Sequence, residues 1–376
     1  MTESFDDIRP FRDDEINAAM KRISHHPMFP QLTRFIYPDL SIEAAVHQLE
    51  AIQTVHELQT SFMIEAIRRI IESFSDGFTS SGLHNLRRGK SYLFVSNHRD
   101  ITLDAFLLQY LLLRDRGDSS YIVFGENLLS SGNVTDMFRS NKLISMSRGG
   151  SPRAFYESLR HLSTYINHLI LEEHQSVWIA QKNGRAKDGI DITAPAIIKM
   201  LALGGGGDPL QTLSDLHIVP MAISYEWEPC DLLKVNELYQ SSHGTYVKAE
   251  GEDLNSIVTG IIAPKGKIHL SLARPLTVAE LCPPPNTDLF EHVAALIDRR
   301  IRRAYRLMPT NYLAADLLAG THRFHQHYNA ALHHHFTQRM NQLPEPAQRD
   351  LFLRLYANPV YSAAGSSPVL ATKTTT

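Results

Sequence analysis

The fold is decided by YLFVSNHRDITLDAFLLQYLLL, residues 92–113. The stretch begins with a continuous apolar run, YLFV, which is typical of a strand buried on both faces. A short polar turn, SNHRD, follows it. The segment TLDAFLLQYLLL is then apolar on nearly every face of a helix, so we expect that helix to be buried as well. A buried strand that leads into a buried helix predicts an α/β protein.

Short apolar runs alternate with helical patterns along the middle of the chain. We predict further strands in SYIVFGE, KLISMSR, SVWIAQ, HIVPMAISY and KIHLSLARP. Strands that alternate with helices are typical of sheets built with crossover connections. The sequence therefore predicts a mixed, mostly parallel sheet flanked by helices.

Helical patterns dominate both ends of the chain. Residues 13–74 carry apolar residues at spacings of three and four, which predicts an N-terminal helical layer. Residues 288–357 are helical again, and the small, polar residues after them favour disorder. We divide the chain into an N-terminal helical segment 1–78, an α/β domain 79–285, a helical C-terminal region 286–357 and a disordered tail 358–376.

Two local signals lie inside the α/β region. Ser151 followed by Pro152 is typical of a helix start, with the serine as the N-cap. The run GGGG at 204–207 is not followed by the Lys-Ser/Thr of a phosphate-binding loop. We expect this run to be a flexible loop.

The composition excludes several classes of protein. Of the 376 residues, 43% are hydrophobic and 20% are charged, which is typical of a soluble globular protein. The formal net charge of -3 gives no general attraction to nucleic acid. The two cysteines form no C-x-x-C pair, so neither a disulfide framework nor a thiolate metal site is indicated.

The location of the protein is predicted from its first residues and its apolar runs. The acidic start, broken by Pro10, is unlike a signal peptide. The longest apolar stretch, 105–113, is shorter than the roughly 20 residues that a membrane-spanning helix needs. We expect a cytoplasmic protein that meets the inner face of the cytoplasmic membrane only peripherally.

His98 and Asp104 are the candidate catalytic pair. His98 follows the first predicted strand, and ligands bind at the carboxyl ends of strands in open α/β sheets. Asp104 lies in the first turn of the buried helix, where a carboxylate turned inward accepts from one imidazole nitrogen and leaves the other as a base. A second interpretation stays open, in which Asp100 or Thr102 caps the helix and His98 is an ordinary turn residue.

Basic residues accumulate after the second predicted strand. Residues 139–187 contain eight Lys or Arg against three Glu, which indicates an anionic ligand. The basic residues are Arg139, Lys142, Arg148, Arg153, Arg160, Lys182, Arg185 and Lys187. Arg148 and Arg185 each follow a predicted strand, so we expect both at the His98 edge, where guanidinium groups bind phosphate with two hydrogen bonds. Arg153, Arg160 and Lys187 are better interpreted as solvated charges.

The stretch SNHRDITLD resembles the first sequence block of the glycerolipid acyltransferase superfamily, the glycerol-3-phosphate and 1-acylglycerol-3-phosphate acyltransferases. That block has Asn-His, four residues and Asp, whereas five residues separate His98 from Asp104 here. Either the turn carries one extra residue, or Asp104 is not the orienting carboxylate and Asp100 is the alternative. The roles of Arg99 and Asp100 stay open.

Three further segments resemble later blocks of the same superfamily. NKLISMSRGG is similar to the second block and implies that Arg148 contacts the phosphate of the acceptor. VWIAQKNGRAKDG is similar to the third block, with Gly184 and Arg185 in place and Asn183 where a glutamate is usual. LHIVPMAISY is similar to the fourth block and implies that Pro220 shapes the acyl pocket. We predict substrate binding by Arg148, Arg185, Gly184, Asn183, Lys142 and Pro220.

The resemblance implies an O-acyltransferase of phospholipid biosynthesis. The acyl group would move from acyl-CoA or acyl-ACP to a hydroxyl of glycerol-3-phosphate or 1-acylglycerol-3-phosphate, with His98 as the general base and without a metal or another cofactor. The expected partners are the thioester donor, the phosphate-bearing acceptor and a membrane surface, but no nucleic acid. The alternatives are a catalytically weak lipid- or acyl-carrier-binding protein and, less favoured, a phosphoester hydrolase.

Two motifs lie outside these blocks. THRFHQHYNAALHHHF, residues 321–336, contains six histidines but no Asp, Glu or Cys, so we favour a surface or packing role over a metal site. DRRIRRAYRL, residues 298–307, is either an interfacial membrane helix or a solvated face over the core, and we favour the core slightly.

Overall fold

In this computed structural model the described residues are 4–126, 132–147 and 149–365, without the side chains of residues 132–134. Seven strands in these ranges form one sheet: β1 (Phe78–Ser81), β2 (Leu93–Ser96), β3 (Ser120–Gly125), β4 (Leu143–Met146), β5 (Ser176–Ala180), β6 (Val219–Tyr225) and β7 (Ile268–Leu272). Their order across the sheet is β1-β7-β6-β2-β5-β3-β4.

Strand β2 lies at the centre of the sheet, parallel to both of its neighbours, β5 and β6. All four of its residues are buried, as its continuous apolar run predicts. Among the described strand pairs, β6 and β7 alone are antiparallel, and β1 is parallel to β7. The predicted mixed, mostly parallel sheet is confirmed.

Between residue 4 and the first strand the structure has five helices, with a π-helical segment, Leu58–Met63, between the fourth and the fifth. They are α1 (Asp13–Ser24), α2 (Phe29–Ile36), α3 (Ile42–Ala51), α4 (Val55–Glu57) and α5 (Ile64–Phe74). Buried residues of α1 to α3 and of the π-helical segment, among them Ile16, Met20 and Phe62, form a core of their own. The predicted N-terminal helical layer is confirmed. The sequence missed β1, which begins at Phe78 and crosses the predicted boundary between residues 78 and 79.

Helices cover both faces of the sheet. They are α6 (Leu103–Arg116), α7 (Gly132–Ser140), α8 (Pro152–Leu171), α9 (Pro195–Leu201), α10 (Pro209–Asp215), α11 (Asp231–His243), α12 (Glu252–Ile262) and α13 (Val278–Leu281). Because strand residues point alternately to the two faces, Phe94 and Trp178 share a core with α6, whereas Val95 and Ile179 share a core with α8.

The two local signals have different outcomes. The Ser151 hydroxyl accepts from the backbone N–H of Ala154 at 3.3 Å, which confirms the predicted start of α8. The start of the glycine run is packed rather than free. A Cβ added to Gly204 would lie 2.3 Å from the carbonyl oxygen of Ser163, and one added to Gly205 would lie 2.1 Å from the Thr212 hydroxyl.

The C-terminal region is helical, as predicted. It contains α14 (Leu289–Ala304), α15 (Pro309–Ala319), α16 (Ala330–Met340) and α17 (Pro346–Ala363). The prediction that disorder begins at residue 358 is wrong, because α17 continues through Pro359 to Ala363. Packing explains the difference: Asn358 is buried and donates to the carbonyl oxygen of Asp188 at 2.8 Å. Residues 366–376 lie outside the described ranges.

The arginine-rich helix α14 lies over the core. Its apolar residues Ile297 and Ile301 are buried, and they pack in the cluster that also contains α8 residues. Arg300 pairs with Glu280. The interpretation as a solvated face over the core is confirmed, and the interfacial-helix alternative is wrong.

The described parts of the chain lack a metal-binding cluster and a membrane-spanning helix. No group of three or more His, Cys, Asp or Glu side chains there is arranged to hold a metal ion. None of the helices in the same ranges is long and apolar enough to cross a membrane.

Candidate active site

The structure brings His98 and Asp104 together at the carboxyl end of β2. His98 follows the strand by two residues, and Asp104 is the second residue of α6. Nδ1 of His98 lies 3.0 Å from Oδ2 of Asp104. The carboxylate is fully buried, whereas 13% of the imidazole is exposed. The pair is therefore reachable from solvent only through the histidine.

The turn accommodates the extra residue by folding around the Asp104 carboxylate. Oδ2 of Asp104 also accepts from the backbone N–H groups of Arg99 at 2.6 Å and of Asp100 at 2.9 Å. Asp100 has a different role, since its Oδ1 accepts from the backbone N–H groups of Thr102 and Leu103 and caps the start of α6. Asp104 is therefore the orienting carboxylate, and Asp100 is the helix cap.

The second oxygen of Asp104 is also occupied. The hydroxyl of Tyr225, the last residue of β6, donates to Oδ1 of Asp104 at 2.9 Å. Tyr225 is buried, and burial together with the charges of Asp104 and Asp100 raises its pKa well above the ordinary tyrosine value. The phenol therefore stays protonated and remains a donor. The sequence analysis missed this residue, because a tyrosine at a strand end carries no signal of its partner.

The Asp104 contact decides which nitrogen of His98 is available. A proton on Nδ1 is held by the carboxylate, so Nε2 carries the lone pair of a base. The ring also packs against Trp178 of β5 in an edge-to-face arrangement, with centroids 5.7 Å apart. The imidazole is thus fixed on two sides.

Asn97 extends the sheet by one step beyond β2. Its side-chain amide donates to the carbonyl oxygen of Ile223 at 3.0 Å, and its Oδ1 accepts from the backbone N–H of Ile223 at 2.8 Å. The asparagine therefore imitates a backbone pairing with β6. This contact fixes the turn that carries His98 relative to the strand that carries Tyr225.

The side chain of Arg99 points into the interior of the protein. Its guanidinium is fully buried, bonds to Asp191 at 2.6 Å and lies 3.4 Å from Glu228. Burial alone would lower the pKa of Arg99, but the charges of Asp191 and Glu228 raise it well above its usual value. Arg99 is therefore a buried, charged anchor of the turn.

A second buried cation holds the same turn. Nζ of Lys234 donates to the carbonyl oxygen of Arg99 at 2.7 Å and to Glu228 at 2.6 Å. The Arg99 guanidinium also lies 5.3 Å from the ring centroid of Tyr305. This turn, residues 97–102, is thus connected to the start of α11 and to the C-terminal region.

Arg185 lies at the same edge as His98. The backbone N–H of its neighbour Ala186 donates to the carbonyl oxygen of His98 at 2.8 Å. Burial raises the pKa of the Cys230 thiol while the charge of Arg185 lowers it, so the guanidinium is close to Cys230. Nη1 of Arg185 is buried without a hydrogen-bond partner among the described residues. Asn183 and Gly184 are exposed on the same loop.

Other predicted site residues do not join this group. Arg148 lies outside the described residues. Lys142 precedes β4, so it lies at the opposite edge of the sheet, where it pairs with Asp118 at 3.1 Å. It also lines a cleft of about 1050 Å³ at that edge. The prediction that Lys142 joins the site is wrong, because a residue before a parallel strand and a residue after one emerge at opposite ends.

Pro220 is buried within the sheet on the other face. It pairs in register with Val95, and its neighbours Val219 and Met221 pack in the core that contains Trp178. Since side chains alternate along a strand, Pro220 faces the core that contains Val95. The structure therefore does not bring Pro220 to the edge of the sheet where His98 lies.

The remaining predicted cations are paired or exposed. Lys187 pairs with Glu237, and Arg153 pairs with Glu157 on the exposed start of α8. Lys182 donates to the carbonyl oxygen of Ile190 at 3.3 Å. The interpretation as a solvated charge agrees with the exposure of Arg153, whereas Lys187 and Lys182 are held by protein partners.

Comparison with known proteins identifies the class. A family model described as Acyltransferase matches residues 77–224. This segment contains β1 to β5, most of β6 and both members of the His98–Asp104 pair. Residues 77–224 are therefore similar to the acyltransferase family, in agreement with the resemblance seen in the sequence.

One solved structure illustrates the likeness. It is the crystal structure of the 1-acyl-sn-glycerophosphate (LPA) acyltransferase PlsC from Thermotoga maritima, which is 13% identical with a TM-score of 0.40. The match covers 76% of this chain and 93% of that chain. No curated protein sequence matches this chain.

Proposed function

We propose that the protein transfers an acyl group from a thioester, acyl-CoA or acyl-ACP, to a hydroxyl of glycerol-3-phosphate or 1-acylglycerol-3-phosphate. The observation that carries the proposal is the 3.0 Å contact between His98 Nδ1 and the buried Asp104 carboxylate, inside the acyltransferase-family segment. It supports general-base catalysis at Nε2. No metal or other cofactor takes part in the proposed reaction.

The proposed reaction is a direct transfer. Nε2 of His98 takes the proton of the acceptor hydroxyl as the oxygen attacks the thioester carbonyl. The tetrahedral intermediate then expels the thiolate, which takes the proton from the imidazolium, and Asp104 stabilises the imidazolium in between. A cysteine-bound acyl intermediate is disfavoured, since burial raises the pKa of Cys230 and its thiol donates to the carbonyl oxygen of Ser256 at 3.2 Å.

The proposed acceptor is anionic because of Arg185. The loop that carries Arg185 is hydrogen-bonded to the His98 backbone. Nη1 of the guanidinium is buried without a hydrogen-bond partner among the described residues, so a phosphate oxygen would satisfy it. The resemblance adds Arg148 as a second phosphate contact. Binding the phosphate beside His98 would hold the acceptor hydroxyl at the base, which contributes to the rate as effective molarity.

Free-thiol release from an acyl thioester tests the proposal. The purified protein is mixed with acyl-CoA or acyl-ACP, and with glycerol-3-phosphate, 1-acylglycerol-3-phosphate or no acceptor. We expect acceptor-dependent thiol release that falls by about 10²–10⁴ in His98→Ala and is retained in His333→Ala, which changes an exposed histidine. Phosphate release without thiol would indicate a hydrolase. Ligand binding with neither product would indicate the binding-protein alternative.

We also propose that the protein works on the inner face of the cytoplasmic membrane. Helix α12 supports this proposal with three large apolar side chains on its outer face: Leu254, Val258 and Ile262 are 53%, 46% and 52% exposed. The opposite face of α12 packs closely on the turn between β2 and α6, since a Cβ on Gly260 would lie 2.1 Å from Asp100 Oδ2. Apolar patches of this kind mark contact surfaces.

Vesicle sedimentation tests the membrane contact. The wild type is expected to sediment with phospholipid vesicles, and Val258→Asp should reduce the bound fraction several-fold, because a charge on the apolar face opposes insertion. The matched control is Val278→Asp, since Val278 is equally exposed at 55% but lies beyond β7, at the opposite edge of the sheet. Equal loss in both variants, or no sedimentation of the wild type, would contradict the proposal.

A further inference from the structure

We propose that Tyr225 is a positioning residue for His98, acting through the second oxygen of Asp104. The inference rests on the proposed function for its catalytic consequence. The geometry on which it stands is independent of that function, because the contact joins Tyr225 to Asp104 at 2.9 Å and Asp104 to His98 at 3.0 Å.

The Asp104 carboxylate receives four donors. Oδ2 takes the imidazole and two backbone N–H groups of the turn, and Oδ1 takes only the Tyr225 hydroxyl among the described residues. A buried carboxylate oxygen without a donor is costly. Removal of this hydroxyl would therefore leave Oδ1 unsatisfied and remove one of the contacts that fix the carboxylate beside the imidazole.

Strand β6 holds the Tyr225 hydroxyl in place. Ile223, two residues earlier, forms two hydrogen bonds with the side chain of Asn97, the residue before His98. The phenol itself is buried, and its raised pKa keeps it a neutral donor. The hydroxyl thus belongs to a strand whose position relative to the turn that carries His98 is fixed by hydrogen bonds.

The expected effect on His98 has a definite sign. A donor on Oδ1 spreads the negative charge of Asp104, so its removal concentrates charge beside the imidazole and favours the imidazolium. Tyr225→Phe should therefore raise the pKa of His98, move the acid limb of the kcat/KM profile to higher pH and lower kcat about tenfold, with KM for both substrates within about twofold. The other charged groups in this part of the fold are Asp100 and Glu228, which act on Tyr225, and Arg99, which lies beside Glu228. Arg185, Lys234 and Lys265 interact with Cys230. The substitution removes none of these groups.

The experiment is an NMR titration of the His98 ring, with its signal assigned from His98→Ala. We expect an upward pKa shift of roughly half a unit or more in Tyr225→Phe. The matched control is Tyr328→Phe, which removes a tyrosine hydroxyl that also donates to an aspartate at 2.9 Å, that of Asp316. Its His98 titration and kcat should equal those of the wild type. An unchanged titration in Tyr225→Phe, or an equal shift in both variants, overturns the inference.

A second variant covers the case in which Tyr225→Phe does not fold. Tyr225→3,5-difluorotyrosine keeps the ring and makes the hydroxyl a stronger donor, so the pKa of His98 should move down. A shift upward or no shift overturns the inference. Because these titrations need no substrate, they separate the failure of this inference from the failure of acyl transfer, which the thiol assay reports.

Discussion

The backbone N–H of Ala186 donates to the carbonyl oxygen of His98 over 2.8 Å. The loop after β5 is therefore attached to the turn after β2, and Arg185, the residue before Ala186, lies at the edge of the sheet that carries His98. The sequence predicted that both residues lie at one edge of the sheet. The hydrogen bond adds a direct contact between the two segments that carry them.

Arg185→Gln should weaken the binding of the phosphate-bearing acceptor. We expect KM for the acceptor to rise roughly ten- to a hundredfold, because a bidentate guanidinium contact to phosphate is lost, while KM for the thioester changes little. Arg185→Lys should recover only part of the loss, since an ammonium group cannot reproduce the planar fork. Initial rates against acceptor concentration measure the effect. Arg153→Gln is the control, because Arg153 is exposed and pairs with Glu157, and an equal KM effect there would contradict the assignment.

Asp104→Asn should lower kcat by about 10²–10⁴, because the amide carries no charge to stabilise the imidazolium. Asp100→Asn is the matched control. Its remaining oxygen can still accept from the backbone of Thr102 and Leu103, so kcat should change less than about threefold. Steady-state kinetics of both variants check the two roles. A larger loss in Asp100→Asn would mean that Asp100, and not Asp104, orients the imidazole.

Gly189→Ala should destabilise the protein more than Gly184→Ala. Both glycines have φ of +77°, so each substitution costs about 1–2 kcal/mol of backbone strain. A Cβ on Gly189 would also lie 2.2 Å from the carbonyl oxygen of Leu355 in α17, whereas nothing lies within 4 Å of one on Gly184. We expect an additional loss of about 1–3 kcal/mol at Gly189, measured by urea unfolding. Equal losses would mean that α17 does not pack on this loop.

Lys265 should make the stability depend on pH. Burial lowers its pKa to about 8, whereas an unfolded lysine titrates near about 10.4. Between these values the unfolded chain binds the extra proton, so the Lys265 contribution to the free energy of unfolding rises with pH and is lost as pH falls through about 8. The stability of the wild type relative to Lys265→Met should therefore increase between about pH 8 and about pH 10.

Denaturant unfolding at several pH values measures this difference. Other groups that titrate at alkaline pH are shared by both proteins, so they cancel in the comparison. Lys267→Met is the control, because Lys267 is exposed and its relative stability should not vary over the same pH range. A flat difference for Lys265→Met would show that the amine keeps its ordinary pKa in the folded protein.

The sequence predicted the parts of the fold whose burial is evident from their own apolar residues. Strand β2 and helix α6 are continuous apolar runs, and no partner is needed to recognise them. Strand β1, FTSS, is short and alternates between half-buried and exposed positions, so its identity comes from its pairing with β7. The antiparallel direction of β7 also has no counterpart in its sequence, because apolar content does not encode direction.

The candidate site was predictable to a similar extent. His98 and Asp104 are close in sequence, and the helix dipole and turn chemistry placed them together. Tyr225 is distant in sequence and joins Asp104 only through the register of β6, and the partners of Arg99 come from two other segments. The prediction for Lys142 was wrong because it rested on the charge of the residue alone. Lys142 precedes β4 and therefore lies at the opposite edge of the sheet.

The buried Arg99 guanidinium sets a lower limit on the portion of this chain that can be expressed as an independent unit. The family match ends at residue 224. Beyond it lie two neighbours of the guanidinium, Glu228 and Tyr305, and also Lys234, which donates to the carbonyl oxygen of Arg99. An excised fragment of residues 77–224 would retain Asp191 alone as a counter-ion. Truncation at the family boundary is thus expected to release the loop bearing the imidazole, and a usable fragment must extend at least past α14.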